Sequence, residues 1–225
     1  MTEPHFLRDT RASYDTIAAE YEQRFGHELT AKPLDRGMLA GFAELVAAAG
    51  LGPVADIGSG TGRVAAYLAS LLASLGVSVS GIDLSPQMVA VARELYPALR
   101  FEVGSMLDLD LPDASLGGVL AWYSTIHVPD DRLPDAFAEF HRVLAPGGYV
   151  LLGFQVGDGP QHVTTSLGHP VSVDVHFRQP EHVAALLSDA GLATRARLIR
   201  ERDEDGEFPE RTQQGFVLAR KPITP

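Results

Sequence analysis

The chain contains 225 residues, 45% of them hydrophobic, and its 29 acidic residues outnumber 18 Lys and Arg to give a net charge of −11. This length and composition suit a single domain with a substantial core, and the negative charge disfavours nucleic acid or anionic lipid as a partner. The chain has no cysteine, which excludes disulfides, thiol nucleophiles and cysteine-ligated zinc. The sequence shows neither a secretion signal nor an apolar run suited to cross a bilayer, so we expect a cytoplasmic protein.

The first predicted elements are a helix, a strand and a second helix. Apolar residues repeat at helical spacing over 38–49, and Gly50 can end that helix. The apolar run 54–57 is predicted to be the first strand. It leads through a glycine-rich turn into an amphipathic helix predicted over 62–74. A strand joined to a helix by glycines is typical of a nucleotide-binding corner.

Strands and helices continue to alternate along the middle of the chain. A second strand is predicted over 77–82, and Ser85 followed by Pro86 is typical of a helix N-terminus. A third strand is predicted over 99–103 and a fourth over 116–121.

The next predicted helix leads into the fifth strand. Asp130 or Asp131 is expected to cap this helix. Its apolar stripe comprises Leu133, Phe137, Phe140 and Leu144. The fifth strand is predicted over 149–154, after a turn made by two glycines.

The regular alternation ends after the fifth strand. The segment 155–179 contains Gly, Pro, His and short alternating pieces, before Pro180 begins another helix that Gly191 ends. Two strands are predicted over 192–199 and 214–219. A charged loop joins them, which predicts a hairpin rather than a crossover.

Together these elements predict an α/β fold with a doubly wound, mostly parallel sheet. Strands that alternate with helices imply right-handed crossovers and helices on both faces of the sheet. Ligands of such sheets bind beyond the carboxyl ends of the strands. We therefore expect the chemistry to be confined to that rim.

Two acidic residues at strand ends frame the glycine turn, which comprises Gly58, Gly60 and Gly62. The dinucleotide fingerprint would place its third glycine one residue later, where this chain has Arg63, and this disfavours NAD. Asp83, at the end of the second strand, is placed to accept both hydroxyls of a ribose. Asp56, at the end of the first, would repel a pyrophosphate and attract an ammonium group. The predicted ligand is a cationic nucleoside without phosphates.

Four motifs in this order resemble those of one family. They are Tyr-Asp-Thr-Ile-Ala-Ala-Glu-Tyr at 14–21, Asp-Ile-Gly-Ser-Gly-Thr-Gly at 56–62, Gly-Ile-Asp-Leu-Ser-Pro-Gln-Met at 81–88 and Arg-Val-Leu-Ala-Pro-Gly-Gly at 142–148. The set resembles the small-molecule branch of the class I S-adenosylmethionine-dependent methyltransferases. The resemblance covers most of the chain.

The resemblance implies a Rossmann-like sheet of seven strands that binds S-adenosylmethionine, with an antiparallel C-terminal strand. It also implies one methyltransferase domain over 1–225. Within it, residues 1–35 would form a helical lid that brings Tyr14 and Tyr21 to the cofactor.

Further residues are expected at the cofactor by the same resemblance. Relatives often hold an acid where this chain has Ser105, and the backbone amide of Met106 would meet the adenine ring. Leu84 and Met88 either line the adenine pocket or pack in the core. The remaining turn residues expected at the cofactor are Ser59, Thr61 and Arg63.

The segment after the fourth strand supplies the candidate catalytic residues. Methyl transfer is an in-line displacement that needs the acceptor atom about 3 Å from the methyl carbon. Trp122 and Tyr123 are expected to form a wall beside the sulfonium, with Tyr123 as the second catalytic candidate. His127 is expected to act as a base or to orient the acceptor. A purely structural, hydrogen-bonded histidine is the alternative for His127.

We expect the segment 155–180 to be a substrate-binding flap in which His169, His176 and Arg178 contact the acceptor. Its histidines also raise the question of a metal site, with Asp174 between two of them. Their spacing matches no compact ligand pair, so we expect no metal.

The sequence therefore predicts an enzyme that transfers a methyl group from S-adenosylmethionine to an oxygen, nitrogen or carbon atom of a small molecule. We expect a monomer or homodimer that binds neither nucleic acid nor membrane. Two alternatives remain open: a nicotinamide- or flavin-dependent oxidoreductase on the same sheet, and a noncatalytic module that binds S-adenosylmethionine.

Overall fold

The computed structural model describes residues 3–223, so the predicted domain limits 1 and 225 lie outside the described residues. The helices and strands are, in chain order, α1 (His5–Phe25), α2 (Pro33–Ala49), β1 (Val54–Ile57), α3 (Arg63–Leu72), β2 (Val79–Asp83), α4 (Pro86–Leu95), β3 (Arg100–Val103), β4 (Leu116–Trp122), α5 (Leu133–Val143), β5 (Leu144–Gln155), β6 (Gly159–Ser166), β7 (His169–Phe177), α6 (Pro180–Asp189), β8 (Ala193–Arg200) and β9 (Gln214–Arg220). Within this part of the chain, no helix is both long and apolar enough to cross a bilayer.

Seven strands form one sheet in the order β3-β2-β1-β4-β5-β9-β8. The first five strands are parallel, and β9 runs antiparallel to both of its neighbours, β5 and β8. The predicted α/β fold, its parallel sheet and its antiparallel C-terminal strand pair are therefore confirmed. The strand order reverses between β1 and β4, which is where such sheets open a crevice for a ligand.

Helices cover both faces of the sheet, and every residue of β1 and β4 is therefore buried. One face packs against α5 and α6 through side chains such as Phe137, Phe140 and Leu187. The other face packs against α2, α3 and α4, with Phe42 and Leu68 in its core. Two apolar layers of this kind stabilise the sheet by removing large apolar areas from water.

Two predicted helix ends are confirmed by their hydrogen bonds. The hydroxyl of Ser85 accepts a hydrogen bond from the backbone N–H of Met88 at 3.1 Å, as expected of an N-cap. Gly50 ends α2 with φ of 63°, and its N–H donates to the carbonyls of Val46 and Ala47.

The predicted cap of α5 is wrong. The residue before this helix is Arg132, with no side-chain cap, whereas Asp130 accepts a hydrogen bond from Arg178 instead. Leu144, predicted on the helix stripe, is the first residue of β5. Gly147 follows it with φ of 91°, so the strand begins before the glycine pair that was expected to precede it.

The segment 155–180 contains an antiparallel hairpin, β6 with β7, outside the main sheet. Leu167 and Gly168 connect its strands, with φ of 50° and 84°. Leu167 adopts this unfavourable left-handed conformation and packs against a cluster formed by Ile17 and Ala18 of α1 and Met88 of α4. The hairpin tip, the N-terminal helix and α4 thus form one small apolar cluster above the sheet.

Candidate active site

A cavity of about 580 Å³ lies at the carboxyl ends of the parallel strands. Helix α1, the β6–β7 hairpin and the loop before β9 enclose it. The sequence-predicted site residues on its wall are Tyr14, Tyr21, Asp56, Gly58, Ser59, Gly60, Thr61, Arg63, Asp83, Leu84, Met88, Ser105, Met106, Trp122, Tyr123 and His127. Four predicted residues are not on this wall: Gly62, His169, His176 and Arg178.

The three turn glycines are needed for different reasons, although each has a positive φ. A Cβ on Gly58 would lie 2.2 Å from Cβ of Ser124, and one on Gly62 would lie 2.7 Å from the ring of Phe101. A Cβ on Gly60 would meet nothing within 4 Å. The outer glycines therefore permit close packing, whereas Gly60 leaves its backbone open to the cavity.

Asp83 is fixed by backbone donors on both sides. Its Oδ2 accepts a hydrogen bond from the N–H of Gly60 at 2.7 Å, and its Oδ1 accepts one from the N–H of Ser85 at 2.8 Å. Burial raises the pKa of this carboxyl to about 6, against the opposing effect of these donors. An ionised carboxylate has about four lone-pair sites, so two remain for a ligand.

Asp56 is 1% exposed, and neither of its carboxylate oxygens has a hydrogen-bond partner among the described residues. The buried hydroxyls of Ser59 and Thr61 also lack partners there. Burial, with a smaller contribution from the nearby Asp83 carboxylate, raises the pKa of Asp56 to about 7. A buried carboxylate without a donor is costly, and a cationic ligand would offset that cost.

Arg63 begins α3 and links the glycine turn to the N-terminal segment. Its Nη2 forms an ion pair with Oε2 of Glu28 at 2.7 Å, and its Nη1 donates to the hydroxyl of Tyr21 at 3.4 Å. The charge of Arg63 is thus balanced by Glu28. This residue holds Tyr21 and the start of α3 together at the cavity wall.

His127 is bonded at both ring nitrogens. Its Nδ1 lies 2.8 Å from the carbonyl oxygen of Asp174, which only accepts, so Nδ1 carries the proton. Its Nε2 lies 2.7 Å from the hydroxyl of Tyr14, which therefore donates to it. Burial lowers the pKa of His127 to about 4, so the ring is neutral at neutral pH.

Arg178 is 3% exposed and braces the segment that carries His127. Its guanidinium donates to the carbonyls of Thr125 and Val128 and to Oδ1 of Asp130. These partners use its three donor nitrogens on one segment, so the structure gives Arg178 a positioning role rather than contact with the cavity.

The predicted flap histidines lie away from the cavity. His169 lies 3.4 Å from the carboxylate of Glu20, and His176 is buried behind the wall. His162 and Asp174 pair at 2.7 Å in an exposed position on the hairpin. Over residues 3–223, no group of three His, Cys, Asp or Glu side chains is arranged to hold a metal ion.

Tyr123 occupies a different wall from His127. It has φ of 54°, unusual for a residue with a large side chain, and it follows β4 directly. Burial raises the pKa of its hydroxyl well above the ordinary value, and the charges that act on it include Asp35 and Arg200. Trp122, before it, is 6% exposed and stacks on the ring of Phe216. The two predicted catalytic residues are therefore not partners.

Several residues of the site were missed by sequence reasoning. Asp15 accepts hydrogen bonds at its Oδ1 from the hydroxyl of Ser85 at 2.5 Å and the N–H of Gln87 at 3.1 Å, which anchors α1 to the start of α4. Its position beside Tyr14 in the first motif was the sequence feature that could have indicated a role at the site. The apolar hairpin wall comprises Val163, Val171, Val173, Val175 and Phe177, and the strict alternation over 171–177 indicated a strand.

Comparison with known proteins agrees with this architecture. A family profile described as "Methyltransferase domain" matches residues 54–148. Over 203 residues the chain is 30% identical to a demethylmenaquinone methyltransferase of Deinococcus radiodurans, a match that covers 77% of this chain and 83% of the relative. A demethylmenaquinone methyltransferase of Chlorobaculum parvum is 39% identical over 95 residues, 42% of this chain, and the match spans only 37% of that relative.

Solved structures share the fold over nearly the whole chain. The structure of a DhpI complex with SAH has a TM-score of 0.72 at 21% identity, covering 99% of this chain and 100% of that one. A Burkholderia thailandensis 1,6-didemethyltoxoflavin-N1-methyltransferase has a TM-score of 0.67 at 21% identity, covering 99% and 92%. The sheet and its rim thus have the Rossmann-like architecture of methyltransferases. The chain belongs to the class I S-adenosylmethionine-dependent methyltransferase family.

Proposed function

We propose that this protein transfers a methyl group from S-adenosylmethionine to a small-molecule acceptor by in-line displacement. The observation that carries the proposal is the pair Asp56 and Asp83 at adjacent strand ends, one without a partner and one with two free lone-pair sites. The neighbouring cation Arg63 is already paired with Glu28, so the two carboxylates suit a positively charged nucleoside.

The residues of the rim fit this cofactor. Asp83 would accept the ribose hydroxyls, and Asp56 would face the methionine ammonium group from beside the glycine turn. The adenine would lie toward the wall formed by Leu84, Ser105 and Met106. S-adenosylmethionine, when bound, supplies an electrophilic methyl group on a positively charged sulfur.

We assign the roles of lid to residues 1–35 and flap to residues 155–180. Helix α1 carries Tyr14 and Tyr21 to the cavity wall, and the hairpin packs along this helix. Ser13 links the two, because its hydroxyl donates to the carbonyl of Ser172 and accepts from the N–H of the same residue. Access to the buried carboxylates would require this pair of elements to separate from the sheet.

His127 and Tyr14 are the residues to which we assign proton handling. An acceptor hydroxyl or ammonium must lose a proton when it is methylated. Nε2 of His127 has a lone pair, and Tyr14 donates to it across 2.7 Å. The acceptor proton would pass to the Tyr14 oxygen while the Tyr14 proton passes to Nε2. The carbonyl of Asp174 would hold the resulting imidazolium through its bond to Nδ1.

The acceptor is proposed to be a small molecule. The Burkholderia thailandensis neighbour was solved with bound 1,6-didemethyltoxoflavin and S-adenosylhomocysteine, and the cavity of this chain is enclosed on three sides. The net charge of −11 disfavours nucleic acid as the substrate.

Calorimetric titration tests the proposed cofactor. We expect S-adenosylhomocysteine to bind, and 5′-methylthioadenosine to bind more weakly because it lacks the ammonium group that faces Asp56. An oxidoreductase would instead enhance the fluorescence of reduced nicotinamide on binding. A noncatalytic module would bind S-adenosylhomocysteine but form none of it from S-adenosylmethionine when supplied with a small-molecule extract.

A further inference from the structure

One end of the cavity is built on a network of charges, buried except at Asp203, that the proposed chemistry does not use. Lys32, only 5% exposed, forms ion pairs with Asp203 at 2.5 Å and Glu210 at 3.1 Å. Arg200 forms ion pairs with Glu210 at 2.7 Å and with Asp35 at 2.9 Å. Three carboxylates thus share two cations, and the network has one negative charge in excess.

Asp35 presents that excess to the cavity. It is 5% exposed and lines the cavity wall, and its Oδ1 accepts a hydrogen bond from Nε of Arg200. Its Oδ2 receives no hydrogen bond from any residue in 3–223. Burial raises the pKa of Asp35 to about 6, so it is ionised at neutral pH despite the low-dielectric surroundings.

Two amide side chains extend this acceptor surface along the rim of the sheet. Gln155 pairs with Gln214 across β5 and β9, and Gln214 pairs with Arg200 across β9 and β8. Paired residues of antiparallel strands point to the same face, so both glutamines lie on the side where Arg200 meets Asp35. Both line the cavity, and Oε1 of Gln155 is buried without a partner among the described residues.

The cavity that holds these acceptor groups also has apolar walls. Val175 and Phe177 of the hairpin and Phe25 of the lid line the same cavity. A ligand that fits here combines an apolar body with a group that donates hydrogen bonds and carries positive charge.

We propose that the methyl acceptor carries an ammonium group, which binds among Asp35, Gln155 and Gln214 while an apolar body packs against the hairpin. This inference rests on the proposed methyltransferase function and names its substrate class. An ammonium donates up to three hydrogen bonds, which matches the three side chains. Its charge offsets the excess negative charge of the network. A buried charge pair of this kind strongly favours cationic ligands over neutral or anionic ones.

Probe binding to the protein saturated with S-adenosylhomocysteine tests this inference. Benzylamine, benzyl alcohol and benzoate share one apolar body and differ in the charge of the substituent. Calorimetry above the pKa of Asp35 should show benzylamine binding at least about tenfold more tightly than benzyl alcohol, with benzoate weakest. Asp35→Asn should abolish this preference, since it keeps the acceptor for Arg200 but removes the charge.

Asp203→Asn is the matched control. It removes the same charge from the same network, but Asp203 does not line the cavity, so benzylamine should keep most of its preference, whereas Asp35→Asn should abolish it. Gln155→Leu leaves the ion pairs intact and should weaken benzylamine binding severalfold. This variant tests the site even if Asp35→Asn fails to fold.

The outcomes separate the two proposals. Failure of the wild type to bind S-adenosylhomocysteine contradicts the methyltransferase function. Normal S-adenosylhomocysteine binding with no preference for benzylamine overturns the ammonium site alone. If Asp35→Asn weakens the binding of S-adenosylhomocysteine itself, the negative charge of Asp35 serves the cofactor's own ammonium group, and the acceptor assignment is wrong.

Discussion

The hydroxyl of Tyr14 lies 2.7 Å from Nε2 of His127, and this contact joins the N-terminal helix to the segment that follows β4. The two rings meet edge to face with centroids 5.2 Å apart. Because Nδ1 of His127 is bonded to β7, the histidine touches the lid and the flap at once. Its protonation state and the closure of both elements are therefore connected.

Replacement of Tyr14 by Phe should raise the pKa of His127. The Tyr14 hydroxyl donates to Nε2 and so stabilises the neutral ring, and its removal leaves burial as the main cause of the lowered pKa of about 4. We expect a rise of about one pH unit, detectable by NMR titration of the histidine ring. Tyr149→Phe, at a tyrosine outside the cavity wall, should leave the titration unchanged. An unchanged His127 titration in Tyr14→Phe would show that the hydroxyl does not donate.

Asp56→Asn should stabilise the ligand-free protein and weaken binding of the cofactor. Burial raises the pKa of Asp56 above its ordinary value, so the ionised form destabilises the fold increasingly as the pH rises from about 4 through about 7. Removal of this charge should raise Tm above pH 7 by roughly 5 °C. Thermal melting measures the gain in stability, and calorimetry with S-adenosylhomocysteine measures the loss of affinity. The exposed Asp205→Asn serves as control, and a lower Tm in Asp56→Asn would contradict the account.

The affinity for S-adenosylhomocysteine should fall as the pH is lowered through 7 toward 6. Burial raises the pKa of Asp56 to about 7 and that of Asp83 to about 6, and the protonated acids lose their attraction for an ammonium group and their full acceptor capacity. Calorimetric Kd values across this window measure the effect. The dependence near pH 7 should be absent in Asp56→Asn; if it persists there, another group is responsible.

Alanine substitutions at Gly58 and Gly60 should separate packing from backbone conformation. Both residues have a positive φ, which costs alanine about 1–2 kcal/mol. Only at Gly58 would the new Cβ also collide with Ser124, at 2.2 Å. Chemical denaturation should therefore show a larger loss of stability for Gly58→Ala than for Gly60→Ala. Equal losses would mean that the turn relaxes around the new side chain.

The α/β fold with its mostly parallel sheet was accessible from the sequence because the central strands are short apolar runs and the helices between them are amphipathic. Asp56 and Asp83 were found by their position at the ends of such runs, and β1 and β2 do lie side by side in the sheet. Residues of this kind can be predicted from a short stretch of sequence, without knowledge of contacts between distant parts of the chain.

The rest of the site depends on contacts between residues far apart in the chain. The partner of Tyr14 is His127, and that of Asp35 is Arg200, 165 positions away. Arg178 was expected at the acceptor because a charged residue in a flap suggests a ligand contact, but its guanidinium donates to two buried carbonyls and to the exposed carboxylate of Asp130. Pairings of this kind follow from the fold and leave no pattern in a short window of sequence.

The direct test of the two-carboxylate site is calorimetric titration of S-adenosylhomocysteine into the wild type and Asp83→Ala, with folding checked by circular dichroism. Loss of a charge-assisted, bidentate contact to the ribose should weaken binding by about 2 kcal/mol or more, close to thirtyfold. A folded Asp83→Ala protein that binds S-adenosylhomocysteine as tightly as the wild type would contradict the assignment of this rim to the cofactor.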